Sequence, residues 1–156
     1  AKRIPLSAFR EFSMQSWKSY QPEVFAKIHA DLMKDVILSP AVSIYASDRN
    51  CKAVESARAN AEKAGVADLI CLKVQELSEN KIDRKISVVT NPPWGKRIAD
   101  NEIRSIWKEL HDMAKQGNDV FLLLPEMQSM DFPYRYKTVL RFSSGDIKVR
   151  FIKLEA

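Results

Sequence analysis

Glycine is scarce in this chain. Only Gly65, Gly95, Gly117 and Gly145 occur among 156 residues, and no two lie within a few positions of each other. No stretch can therefore form the glycine-rich loop that lets backbone approach a phosphate or a cofactor. Cysteine is scarcer still. Cys51 and Cys71 have neither metal-ligand spacing nor a neighbouring His cluster, so no metal site is expected, and free thiols in a reducing, cytoplasmic setting are. No apolar run approaches the roughly 18 residues of a membrane span, and Ala1-Lys2-Arg3-Ile4-Pro5 has no signal core, which predicts no membrane partner. What remains is a chain 46% hydrophobic with a formal charge of +5. That describes a globular domain whose surface suits a polyanionic partner without proving one.

Along the chain, residues 1–40 read as an arm and a helix. Phe9, Phe12, Trp17 and Tyr20 stand among polar neighbours without a clean period, and Gln21-Pro22-Glu23 opens a helix. Its apolar stripe is Val24, Phe25, Ile28, Leu32, Met33 and Val36, with His29 beside it as a packing or surface residue. Residues 41–156 then alternate strand and helix. Strands are predicted at 42–47, 69–74 and 86–90, with helices at about 51–63, stopped by Gly65, and about 101–115, followed by Gly117. Val120-Phe121-Leu122-Leu123-Leu124 is an unbroken apolar run of the kind buried on both faces. Alternation of this kind predicts an α/β fold with a parallel sheet. Residues 137–142 and 147–154, joined through Gly145, predict a closing antiparallel hairpin. Arg135, Lys137, Arg141, Lys148 and Arg150 alternate with apolar residues there and read as a solvated face.

The most informative stretch is Ile86-Ser87-Val88-Val89-Thr90-Asn91-Pro92-Pro93-Trp94-Gly95. Two prolines offer no amide donors and fix φ near −65°, so the strand must stop at Asn91, which Pro92 holds extended. Asn91 is thereby delivered to the carboxyl edge of the sheet, where open α/β folds bind ligands. Such a site suits methyl transfer to an exocyclic amine of a planar base. The amine lone pair is delocalised into the ring, and acceptors at the Asn91 amide and the Pro92 carbonyl would localise and aim it without a strong base. Trp94 would stack on the extruded base. The bland reading is a rigid Pro92-Pro93 loop with an aromatic plug.

Two acids sit at neighbouring strand ends. Asp48 is placed to accept from ribose hydroxyls, or to cap the following helix as Asn50 equally would, and the two roles can coexist. Glu76 is placed to accept from an adenine amino group, or is a solvated loop acid. Lys96 and Arg97 are phosphate contacts beside the loop or a surface pair.

Taken together, Ile44-Tyr45-Ala46-Ser47-Asp48, Asn60-Ala61-Glu62-Lys63-Ala64-Gly65-Val66 and Thr90-Asn91-Pro92-Pro93-Trp94-Gly95-Lys96-Arg97-Ile98 resemble the RNA methylases usually joined to a THUMP domain. These are class I S-adenosylmethionine-dependent enzymes. Phe9 to Trp17 and Val149-Arg150-Phe151-Ile152 extend the similarity over nearly the whole chain. The resemblance implies a class I, Rossmann-like methyltransferase sheet with a C-terminal antiparallel hairpin, and S-adenosylmethionine as cofactor. It implies cofactor contacts at Asp48, Glu76 and Asn91, and catalytic residues Asn91, Pro92, Pro93 and Trp94. It also implies RNA as partner, with Lys96 and Arg97 on the substrate, and a guanine 2-amino group of large-subunit ribosomal RNA as target. Transfer RNA guanine and DNA adenine stay open, as does a non-catalytic binding or assembly module that kept the base pocket.

Two departures from the family pattern stand out. Glu76 replaces the usual Asp, and the first strand with its glycine-rich loop is absent, so the sheet is expected to be incomplete at its N-terminal strand. The strands before Asp48 and Asn91 should then lack a common neighbour, inviting pairing with a missing N-terminal portion or with a second copy.

Overall fold

The computed structural model describes residues 2–80, 84–93, 100–128 and 131–156. The chain folds as two compact units, Ala1–Glu76 and Leu77–Ala156.

The first unit begins with the aromatic arm, two single 3₁₀ turns at Leu6–Ala8 and Ser13–Ser16. Phe25 gathers the arm against the first helix, with its ring centroid 6.4 Å from Phe12 and 5.8 Å from Tyr20. Helix α1, Pro22–Lys34, starts with a proline where no intrahelical donor is needed. Its apolar stripe is present but uncovered: Val24, Ile28, Leu32 and Met33 are all exposed. The chain start is tied down by Lys2, whose Nζ donates to the Gly65 carbonyl at 3.0 Å and to Asp68 Oδ1 at 2.7 Å.

A βαβ unit follows, made of β1 (Ile44–Asp48), α2 (Cys51–Lys63) and β2 (Ile70–Val74). The two strands are parallel and in register from Ile44↔Ile70 to Asp48↔Val74. Asn50 caps α2 by accepting from the Lys52 amide at 2.9 Å, and Gly65 ends it at φ 61°. Val54 and Ala61 are the buried residues of this helix.

The second unit has a continuous core. Strands β3 (Ser87–Thr90), β4 (Asp119–Pro125), β5 (Tyr136–Ser144) and β6 (Ile147–Leu154) form one sheet in the order β3-β4-β6-β5. Pairing is parallel for β3 with β4 and antiparallel for the other two ladders. Helix α3, Asp100–Lys115, lays Ile103, Trp107, Leu110 and Ala114 on one face of this sheet. They meet Val120, Leu122 and Leu124 of β4, Ile152 and Leu154 of β6, and Phe132. Trp107 packs edge-on to Phe132 at 5.0 Å.

Three expectations meet the structure here. The sheet is of the expected α/β kind, with parallel strands followed by an antiparallel hairpin. Ser144 and Ile147 pair directly across the Gly145-Asp146 turn, and Gly145 at φ 60° takes the conformation a type II′ turn asks of its first central residue. The expectation for Val120–Leu124 is corrected, because within that run only Val120, Leu122 and Leu124, on one face, are buried. Phe121 and Leu123 point away from α3 and are half-buried, Phe121 being covered by the stacked ring of Phe151 at 5.6 Å and by the Lys153 ammonium at 5.7 Å. Finally, among the described residues β1 pairs only with β2 and β3 only with β4. Each has an edge with no strand on it.

Candidate active site

Strand β3 is held at its start by a side-chain bracket. Asn118, past the end of α3, accepts from the Ile86 amide through Oδ1 at 3.1 Å and donates through Nδ2 to the Met113 carbonyl at 3.0 Å. The Asp119 amide donates back to the Ile86 carbonyl at 3.0 Å. From there the parallel ladder runs Ser87↔Asp119, Val88↔Val120, Val89↔Phe121 and Thr90↔Leu122. The next residue is Asn91, beyond the last ladder pair and exposed at the carboxyl edge, while Pro92 is buried and Pro93 exposed. A buried Pro92 fixes the backbone immediately after Asn91. Trp94, Lys96 and Arg97 lie outside the described residues.

In the first unit the carboxyl edge of β1 and β2 carries both acids. Asp48 is the last residue of β1, paired in register with Val74, and Glu76 follows β2 by two positions. The pairing brings them to the same edge, and both are exposed. Asp48 Oδ1 accepts from the Asn50 amide at 2.8 Å and its carbonyl accepts from the Gln75 amide at 3.0 Å. Its carboxylate is thus oriented by the local turn, while the capping of α2 belongs to Asn50. Of the two explanations for an acid here, the cap is already supplied by its neighbour.

Both cysteines are free and exposed, and no group of three or more His, Cys, Asp or Glu among the described residues is placed to hold a metal. No helix among these residues is long and apolar enough to cross a membrane. At the opposite end of β4, the Lys153 ammonium hydrogen-bonded to Asp119 holds that carboxyl below the usual aspartate range, and the charges of Lys153 and Lys85 add to the effect.

One group was set aside in the sequence as a solvated face. Register places Arg141 directly opposite Arg150 and Ser143 opposite Lys148, so all four share one face of the hairpin. The signal was available, because a two-residue turn at Gly145-Asp146 fixes Ser144↔Ile147 and every pair outward from it up to the first irregularity.

The pattern that defines RMKL-like methyltransferase domains, UPF0020, matches residues 1–135 of this chain. The chain belongs to that family. It is similar to the ribosomal RNA large subunit methyltransferase K/L of Legionella pneumophila (strain Lens), 33% identical over 90 residues covering 56% of this chain and 12% of the relative. The protein of that name from Marinomonas sp. (strain MWYL1) is 28% identical over 151 residues, 89% of this chain and 21% of the relative. The chain thus spans about a fifth or less of the length of these two relatives. The crystal structure of SMU.472 complexed with SAH superposes with a TM-score of 0.83 at 19% identity, covering 99% of this chain and 42% of that one. The architecture is the class I methyltransferase fold.

Proposed function

We propose that this chain is the catalytic portion of an S-adenosylmethionine-dependent RNA methyltransferase acting on an exocyclic base amine, the 2-amino group of a guanine in large-subunit ribosomal RNA. The observation that carries the reading is Asn91, exposed at the carboxyl edge of β3 with Pro92 buried behind it, in a member of the RMKL-like family. Relatives named as large-subunit ribosomal RNA methyltransferases support the choice of RNA.

In this reading the Asn91 amide oxygen and the Pro92 carbonyl accept the two N–H groups of the target amine. The nitrogen lone pair is thereby drawn out of the ring and aimed for in-line displacement. S-adenosylmethionine, when bound, supplies an electrophilic methyl group. Transfer would form the carbon–nitrogen bond as the cofactor's carbon–sulfur bond breaks, with the amine proton passing to water. Trp94 stacks on the base, and Lys96 and Arg97 contact phosphate.

The residues present fit part of the cofactor. The exposed Asp48 carboxylate has acceptor capacity left for ribose hydroxyls after its bond to Asn50, and Glu76 at the same edge faces the adenine. A glycine cradle for the methionine end is not encoded among the four glycines. The open edges of β1 and β3 accept further strand, from a preceding segment of the same protein or from a second copy. Residues 1–40 then serve as arm and helix to a catalytic portion at 41–156, in a cytoplasmic protein whose free Cys51 and Cys71 accord with reducing surroundings.

The test is transfer of labelled methyl groups from S-adenosylmethionine by this chain and by the full product of its gene. Substrates are undermodified large-subunit ribosomal RNA, transfer RNA and DNA, followed by nucleoside digestion. 2-Methylguanosine in ribosomal RNA is the expected product. 2-Methylguanosine in transfer RNA alone, or 6-methyladenine in DNA, would replace the substrate. Failure of both proteins to bind the cofactor would make the chain a non-catalytic module.

A further inference from the structure

The hairpin of β5 and β6 presents a group of cations in an arrangement that costs stability. Arg141 and Arg150 are directly opposite across the ladder, and like charges so placed repel. Lys148, opposite Ser143, adds a third cation to the same face. Arg150 is held in place, its Nε donating to Glu126 Oε1 at 3.4 Å and its Nη1 to the Tyr136 hydroxyl at 3.3 Å. Among the described residues no carboxylate pairs with Arg141 or Lys148, and both are exposed. Arg141, Ser143 and Lys148 line, with Glu126, Phe142 and Val149, a shallow concavity of about 290 Å³. Glu126 offsets one of the three charges, and Asp146 in the turn is the remaining nearby acid along the hairpin.

The position of this group is set by topology. Strand β4 runs parallel to β3, so Pro125 at its end and Asn91 after β3 share the carboxyl edge of the sheet. Strand β6 is antiparallel, and Val149 pairs with Pro125, which brings Lys148 and Arg150 to that same edge. Arg141 pairs with Arg150 and follows it there. Successive strands are about 4.8 Å apart, so Arg150 stands about 10 Å across the edge from the strand of Asn91 and Arg141 about 14 Å. A short extended single strand reaches from one to the other.

We propose that Arg141, Lys148 and Arg150 form a binding patch for backbone phosphates of the RNA strand that presents its base at Asn91. The inference rests on the RNA methyltransferase reading above for the identity of the polyanion. An adjacent pair of guanidinium groups suits phosphate oxygens through bidentate hydrogen bonds, and Ser143, opposite Lys148 on the same face, adds a neutral donor. Phosphate contacts of this kind fix register without reading sequence. The mutual repulsion of the pair is relieved when the anion arrives, so the arrangement favours the bound state.

The test is fluorescence anisotropy of a labelled 12-nucleotide single-stranded RNA with the 156-residue chain over a range of salt. The variant R141Q/K148Q is compared with K115Q/K137Q, which loses the same charge elsewhere. Each phosphate contact to a single strand contributes about 0.7 to the slope of log affinity against log salt. R141Q/K148Q should lower the slope by about 1.4 and weaken binding roughly tenfold at 0.1 M salt, while the control changes the slope by less than half as much. Equal slopes in the two variants, or no binding by the unaltered chain at low salt, would overturn the proposal. Single-stranded DNA carries the same phosphodiester and should respond alike, so the substrate is decided by methyl transfer and the patch by the slope. A slope loss without methyl transfer to RNA keeps the patch and removes the functional reading, and methyl transfer to RNA with an unchanged slope does the reverse.

Discussion

The two units of this chain are built to different standards. In the second, α3 closes one face of a four-stranded sheet, and Leu110, Val120, Leu122 and Ile152 are wholly shielded from water. In the first, only Val54 and Ala61 among the described residues are buried, while α1 keeps Val24, Ile28, Leu32 and Met33 in solvent. A helix acquires its stability mainly from what its apolar stripe is packed against. The difference therefore teaches that the unit carrying Asn91 has a core of its own, whereas the unit carrying Asp48 owes more to local turns, caps and the Lys2 clamp.

Core truncation should expose that difference most strongly. Leu110→Ala removes a fully buried side chain and is expected to destabilise the second unit by about 2–5 kcal/mol. The matching change in the first unit, Leu32→Ala, should cost within about 0.5 kcal/mol. Urea unfolding followed by circular dichroism measures both. Equal losses would mean that the α1 stripe is covered in solution.

Next in size is the functional contrast. Asn91→Ala, measured in the full product of the gene, should lower turnover by about 10²-fold, the scale of losing one preorganised polar partner, with cofactor affinity nearly unchanged. Asp48→Ala should do the opposite, weakening cofactor binding because the ribose hydroxyls lose a charged acceptor. Isothermal titration together with single-turnover rates separates the two. Full turnover in the Asn91 variant removes that residue from the mechanism, and unchanged affinity in the Asp48 variant reduces that acid to a turn former.

The smallest effect concerns acid. Asp119 in the second unit and Asp68 in the first are both held below the usual aspartate range by a hydrogen bond from a lysine, Lys153 and Lys2 respectively. A depressed carboxylate contributes stability that is complete above its unfolded value, near 3.9, and lost as pH falls through the lower folded value. Lys153→Met should flatten the loss of stability below about pH 4 in the second unit, and Lys2→Met should do so in the first. Asp68 is exposed and Asp119 half-buried, so 0.5 M salt should shrink the difference more in the first unit than in the second. Denaturant titrations at pH 3 and pH 7 provide the comparison.

Much of the fold was legible because the chain punctuates itself. Asn50 and Gly65 bracket an alanine-rich segment, and α2 falls at Cys51–Lys63 between them. Gly145 fixes the hairpin register, and Pro92 fixes where β3 must stop. What stayed illegible is what periodicity does not encode. An apolar stripe reports that α1 is amphipathic, without saying whether a partner covers it. Five apolar residues in a row say that β4 is central, but Phe121 and Leu123 on its second face are only half-buried, Phe121 under the Phe151 ring and the Lys153 ammonium. The cations of the hairpin alternate in a way that looks solvated along each strand, and only pairing across strands assembles them. The β-bulge between Thr138 and Leu140 further disguises the alternation, since Val139 interrupts the period of β5.

The order of strands in the second sheet also governs what happens while the chain is being made. Strand β4 is flanked in the finished sheet by β3, made before it, and by β6, made well after it, with Leu122 waiting for Ile152. At a synthesis rate of about 5–20 residues per second, a gap of thirty residues leaves the most apolar strand of the molecule without its second neighbour for roughly 2–6 s. Hairpin formation between β5 and β6 takes only microseconds once both have emerged. The ribosome, rather than the folding reaction, sets the interval in which Val120 to Leu124 have only α3 and β3, both already made, to cover them.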